Sequence, residues 1–247
     1  MKINIVSTDP RYAFVSDRLS EKGIEAQLCA PRDVDACDFL LLSVKRELDD
    51  CQLKEILVKI DKETVVLCGS DERIGKLFGG KIINYSLGGD FVEKNAYLTA
   101  EATVSFLHSK LKDCICGKRV FVSGYGRIGR ALCRILHSLG AEVFAYARRA
   151  EIKAQINEEG IINASLDRCI ECEIVINTVP SVIYSYELIS KIPRKALIVE
   201  LASYPYGFAE MERVLIAGGL PGKILPVAAA DAVLEAVLKI VSSSEMG

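Results

Sequence analysis

The chain has 247 residues, half of them hydrophobic and 26% charged, with a formal net charge of -2 and a pI near 5.9. That length is comfortable for two domains, and the composition is that of a globular protein able to bury a sizeable core. The charge balance carries no basic footprint for nucleic acid, the opening MKINIVSTDP has no signal-peptide apolar stretch, and no apolar run reaches membrane-spanning length, so a cytoplasmic protein is expected.

Residues 1–90 alternate strand and helix. An apolar strand at Lys2–Val6 enters the turn Ser7-Thr8-Asp9-Pro10-Arg11, and a helix follows to Gly23 with Phe14, Val15 and Leu19 inward. Further strands are expected at 24–29, 39–44, 64–68 and 81–85, with helices at 53–60 and 71–78. This βαβ alternation implies a parallel-sheet, Rossmann-like domain over 1–90 that serves the substrate or a partner. Its first turn has no glycine triplet, so no dinucleotide is assigned to it. The run Leu87-Gly88-Gly89-Asp90 ends it, and residues 91–113 form an interdomain helix with Ala96, Ala100, Val104, Leu107 and Leu111 on one face.

The second domain, 114–226, is organised around residues 119–149. Val120, Phe121 and Val122 form a strand, and Gly124, Gly126 and Gly129 follow at the G-x-G-x-x-G spacing. Ile128, Leu132, Ile135, Leu136 and Leu139 then recur at helical spacing up to Gly140, and 142–146 is a second strand. One glycine makes the tight turn, one lets a pyrophosphate approach the backbone, and one allows close helix–strand packing. The helix N-terminus offers its amides to the phosphates, so Tyr125, Arg127 and Ile128 join the three glycines as cofactor-binding residues. Where NAD-binding domains place an acid on the ribose 2′-hydroxyl, this chain has Arg148 and Arg149. An acid there repels a 2′-phosphate and a guanidinium binds it, so NADP is favoured and NAD is the alternative. Strands at 173–177 and 196–201 end in the loops Asn177-Thr178-Val179-Pro180-Ser181 and Ala202-Ser203-Tyr204-Pro205. Ligands lie outside such strand ends, so Asn177, Thr178 and Pro180 are assigned to the cofactor, and Ser203 and Tyr204 to the substrate. Residues 218–222 read as a rigid turn cluster. A C-terminal helix at 227–241, with Ala228, Val233, Val237 and Ile240 inward, packs back on the first domain before a tail that frays from 242.

Nine cysteines in a reducing compartment read as small apolar thiols rather than disulfides. The pair Cys114 and Cys116 and the C-x-x-C at 169–172 have no histidine close by in sequence, so no metal site is assigned. His108 and His137 sit late in helices, which disfavours the hydroxy-acid oxidation that needs a cleft histidine. Arg11 can hold a carboxylate as a bidentate fork with Asp9 beside it, or it can be a capping or surface arginine.

The stretches VSGYGRIGRALCRILHSLGAEV with YARR, INTVPS at 176–181, LASYPYGF at 201–208 and AGGLPGKILPVAAADAVLEAVL at 217–238 resemble the A subunit of dipicolinate synthase from endospore-forming bacteria. NAYLTAEATV at 95–104 is similar to that family's interdomain helix, with Asn95, Thr99, Glu101 and Thr103 at matching positions, and Asp9 and Arg11 match its Asp-x-Arg. The chain departs from the family at Ser7-Thr8, where glycines are usual, at Leu98 and Ala102, in place of Pro and Gly, and at Tyr204, in place of an Arg before Pro205. The resemblance implies two Rossmann-like domains and an NADP-linked oxidation of a dihydrodipicolinate-type dicarboxylate to dipicolinate, in spore formation, jointly with a flavoprotein-like B subunit. It also implies a site with Glu101 as proton acceptor and Asn95 and Thr99 near it. A solvent-facing Glu101 instead moves the search to Asp9 and Arg11. The other readings are homo-oligomerisation, a dehydrogenase of another small carboxylate, and a non-catalytic NADP-binding protein with a regulatory or scaffold role.

Overall fold

The protein, seen in a computed structural model that describes residues 1–244, divides into two compact units: Met1–Asn95 together with the stretch from Pro221, and Ala96–Leu220. In the first unit β1 (Lys2–Val6), α1 (Arg11–Glu21), β2 (Glu25–Leu28), β3 (Phe39–Leu42), α2 (Asp50–Lys59), β4 (Val65–Cys68), α3 (Glu72–Leu77) and β5 (Ile82–Asn84) follow one another. Their strands pair in parallel in the order β2-β1-β3-β4-β5. A central parallel strand is covered on both faces, so β3 is the unbroken apolar run Phe-Leu-Leu-Leu, buried throughout, while the edge strand β2 is mostly exposed. Leu40, Leu42, Leu53, Ile56, Val66 and Ile74 make the core beneath α2 and α3. Asp49 starts α2 with a capping box: its carboxylate accepts from Gln52 N, and the Gln52 side chain accepts from Asp49 N.

The 23-residue helix α4 (Gly89–Leu111) begins in the first unit and continues into the second. There follow β6 (Arg119–Ser123), α5 (Arg127–Ser138), β7 (Glu142–Tyr146), α6 (Ala150–Glu158), β8 (Ile162–Asn163), β9 (Ile174–Asn177), α7 (Tyr186–Lys191), β10 (Leu197–Glu200) and β11 (Val214–Ile216). All six strands pair in parallel, in the order β11-β10-β9-β6-β7-β8. The glycine-rich turn leaves β6, in the middle of the sheet, next to the loop after β9. This is the crevice position of a doubly wound fold. The expected class, two Rossmann-like parallel sheets, is the observed one.

The chain closes with α8 (Leu220–Ile224) and α9 (Pro226–Ser244). Within the first unit α9 returns to α1, where Arg18 pairs with Asp231, and to the start of α4, where Lys94 pairs with Glu235 and Asp90 with Lys239. Exposed pairs contribute little; the buried stripe Ala230, Val233, Val237 and Val241 holds the helix.

Four local expectations are corrected. Phe14 is 36% exposed, because the inward face of α1 is Arg11, Tyr12, Val15 and Leu19, and Phe14 lies off that stripe. Ala228 faces out, one residue ahead of the stripe that begins at Ala229. The expected turn at 218–222 gives way at Leu220 to the short helix α8. The C-terminal helix runs on through Ser244 instead of fraying from 242, and the expectation for 245–247 lies outside the described residues. No helix among the described residues is long and apolar enough to cross a membrane.

Candidate functional site

The site grows out of the end of β6. Gly124 has φ 92°, a left-handed conformation that disfavours a side chain, and its N donates to Tyr146 O at 2.9 Å. A Cβ at Gly129 would collide with the carbonyl oxygen of Gly124, so only glycine lets α5 pack this close to the turn. Gly126 is the opposite case: a Cβ there meets nothing within 4 Å, so open space lies beside the first amides of α5. Arg127 is exposed and Ile128 half-buried at that helix start. First-turn amides without intrahelical partners and the positive helix end favour an anion here.

A crevice of about 490 Å³ opens over this turn, lined by Gly124, Tyr125, Gly126, Tyr146, Ala147, Arg148, Arg149, Ile152, Val179 and Ile183. Arg148 and Arg149 both stand exposed at the end of β7, and Arg149 only brushes the exposed Glu151, at 3.9 Å. Of the expected turn residues, Gly124, Tyr125 and Gly126 line this crevice together with both arginines, whereas Arg127, Ile128 and Gly129 do not. Thr178 lies beside it, half-buried, its hydroxyl donating to Ser123 O at 2.9 Å, and Pro180 is exposed.

Asn177 is corrected from a cofactor ligand to a scaffold residue, because it is 0% exposed and its amide is fully used within the protein. Its Oδ1 accepts from Ser123 Oγ at 2.7 Å and from Val179 N at 3.1 Å, and its Nδ2 donates to Glu200 Oε1 at 2.8 Å. Glu200, also wholly buried, accepts from Ala202 N at 2.8 Å and Gly207 N at 2.7 Å. Burial pushes its carboxyl above the ordinary value, against the pull of these donors. The pair clamps together the loops after β9 and β10.

A second carboxylate missed in the sequence fixes the turn from outside. Tyr125 OH donates to Glu159 Oε2 at 2.8 Å, Arg130 Nε to Oε1 at 2.7 Å, and Arg134 Nε to Oε2 at 2.6 Å. Burial favours the neutral acid, but Arg134, Tyr125 and Arg130 outweigh it and hold the Glu159 carboxyl down at about 2. Arg130 and Arg134 stand four apart on one helix face, which is the one sequence signal that an acid awaited them.

In the first unit Arg11 is a buried residue, 1% exposed, and its Nε donates to Asp9 Oδ1 at 3.0 Å, as does its backbone N at 3.1 Å. The surface-arginine alternative is thereby excluded. On α4, Thr99 is buried, Asn95 half-buried, and Glu101 exposed. An exposed Glu101 is a solvated helix carboxylate, so the acid–base role finds no enclosing environment, and Thr99 lies on a different face. Ser203 is exposed, and Tyr204 is 83% exposed with its ring edge-on to Tyr206 at 5.9 Å. His108 and His137 are exposed, and the nine cysteines are free thiols. Among the described residues no group of three or more His, Cys, Asp or Glu side chains is arranged to hold a metal ion.

Fold and turn together define a dinucleotide-binding protein of dehydrogenase type. Residues 91–203 match the family described as D-isomer specific 2-hydroxyacid dehydrogenase, NAD binding domain. The chain is 32% identical over 163 residues to the A subunit of dipicolinate synthase of Bacillus subtilis (strain 168), a match that covers 62% of this chain and 55% of that protein. The matched part thus spans about half of that relative's length. The crystal structure of that A subunit from Bacillus subtilis has a TM-score of 0.79 at 24% identity, covering 100% of this chain and 97% of that one. The A subunit of the Bacillus halodurans synthase gives 0.80 at 22% identity, covering 97% of each. The chain thus resembles dipicolinate synthase A subunits in sequence and fold, and its second unit is a nicotinamide-dinucleotide-binding domain.

Proposed function

We propose that the chain is an NADP-dependent oxidoreductase that oxidises a dihydrodipicolinate-type dicarboxylate to the aromatic pyridine, working with a second, flavoprotein-like subunit. The observation that carries the cofactor choice is the pair Arg148 and Arg149, exposed on the crevice at the end of β7, where an acid selects NAD. The residues present fit such a cofactor. Gly126 leaves open space at the amides of α5 for a pyrophosphate, and the guanidinium groups suit a 2′-phosphate. When bound, the nicotinamide ring supplies hydride acceptance at C4.

The remaining work falls to the chain. Asn177 and Glu200 hold the loops after β9 and β10, with Thr178 and Pro180 on the first and Ser203 and Tyr204 on the second. Arg11, oriented by Asp9, is the residue for a substrate carboxylate. The substrate ring gives up a hydride and a proton and becomes aromatic, which supplies the driving force. Two exposed histidines late in helices do not support hydroxy-acid oxidation. The test is NADPH formation from dihydrodipicolinate, by the chain alone and with the candidate partner. Nucleotide binding without turnover in either assay would leave the regulatory-subunit reading.

A further inference from the structure

The first unit holds a group of cations that the dinucleotide crevice does not use. We propose that Arg11, Lys45 and Lys223 form a carboxylate-binding site at the ends of β1 and β3. This deepens the function proposed above, on which it rests only for the identity of the acid.

Val6 and Leu42 are register partners at the ends of β1 and β3, so the segments that follow emerge side by side. Glu47 stitches them together: Oε2 accepts from Thr8 N at 2.7 Å and Ser7 Oγ at 3.0 Å, and Oε1 from Ser43 Oγ at 2.7 Å. Asp9 takes Nε of the buried Arg11, but Arg11 Nη1 is buried with no hydrogen-bond partner. Buried polar groups are nearly always paired, and a guanidinium N–H offered beside a strand end is a donor for a planar oxyanion.

Two further cations converge on this place. Gly222 in α8 presses on Asp9 so closely that a Cβ would collide with the carboxylate, which brings Lys223 to the same corner. Lys45 follows Val44, whose N is held by Tyr12 OH at 2.7 Å. Although Lys45 is an exposed residue, its ammonium is partly enclosed: burial, then Lys223 and Arg11, lower its pKa, against Asp9 and Glu47. Three cations therefore stand with two carboxylates, an excess of one positive charge (3 − 2), which matches one carboxylate group. Inorganic phosphate shares enough of this chemistry to need its own arm in the test.

The experiment is calorimetric titration of the full chain with pyridine-2,6-dicarboxylate, succinate and inorganic phosphate. Lys45→Met and Lys223→Met are compared with wild type, their folding checked by thermal melting. The expected result is carboxylate binding that weakens about 10-fold in each variant and more in the double variant, with NADP affinity unchanged. Arg11→Lys, which keeps the charge and loses the fork, should weaken it as well. Wild-type affinity in both lysine variants overturns the site, as does failure of every small carboxylate to bind. Lysine-dependent binding of phosphate alone also overturns it. If succinate binds through the lysines and pyridine-2,6-dicarboxylate does not, the site stands and the dihydrodipicolinate reading falls.

Discussion

Tyr125, inside the glycine-rich turn, donates its hydroxyl at 2.8 Å to Glu159, the residue that caps the C-terminus of α6. One carboxylate therefore ties the turn to two helices, through Tyr125 and through Arg130 and Arg134 of α5. The Glu159 carboxyl titrates at about 2 in the fold against an ordinary 4.5. A depressed acid stabilises the fold above its unfolded value and loses that contribution as pH falls from about 4.5 towards 2. Thermal melting should show this acid-side loss in wild type and a flatter limb in Glu159→Gln. At neutral pH that variant should lose about 2 kcal/mol, or a few degrees of melting temperature. An unchanged melting profile in the variant would show that the cluster carries no stability.

The cofactor preference rests on side chains alone. Arg148→Asp should turn a chain that binds NADP more tightly than NAD into one that prefers NAD, because the new carboxylate repels a 2′-phosphate and can accept from the 2′-hydroxyl. Wild-type NADP affinity should also fall as salt rises. Equal or better NAD binding by the wild-type chain in calorimetry would count against the reading.

Two glycines of the turn should fail in different ways. Gly126→Val places a branched side chain in open space, so the fold should survive with an unchanged melting temperature while nucleotide binding is lost. Gly129→Ala drives a methyl into the Gly124 carbonyl oxygen, so its melting temperature should fall as well. Normal nucleotide affinity in Gly126→Val would mean that the phosphates do not lie at this turn.

Strand runs and glycine spacing are local signals, which is why both sheets and the dinucleotide turn were legible from residue order. The carboxylates that hold the site were not. Glu159 meets Tyr125 across 34 residues and Glu200 meets Asn177 across 23, and beyond the i,i+4 spacing of Arg130 and Arg134 nothing in the residue order marks either pairing. Asn177 misled for a related reason. It ends a strand where ligands collect, yet its Oδ1 accepts from Val179 N two residues on, and this local turn folds the side chain inward. Arg11 read as open between surface and site, since only burial distinguishes them, and burial is set by the tertiary fold, in which α8 presses on its partner Asp9.

The family resemblance singled out Glu101 as proton acceptor, and the fold gives that side chain an exposed position on α4. A general base contributes about 10²–10⁴-fold in rate when it is held against the proton it takes. Holding requires neighbours that fix the carboxylate and exclude water, and a solvated helix glutamate has neither. Glu101→Gln should therefore keep turnover within a few-fold of wild type, measured with the candidate partner protein present. Asp9→Asn should cost far more, because it releases the guanidinium of Arg11 from its only charged partner among the described residues. NADP affinity is the control that separates substrate handling from folding, and it should be unchanged in both variants. A loss of a hundredfold or more in Glu101→Gln, with Asp9→Asn near wild type, would return the proton to α4 and remove Asp9 and Arg11 from the substrate site.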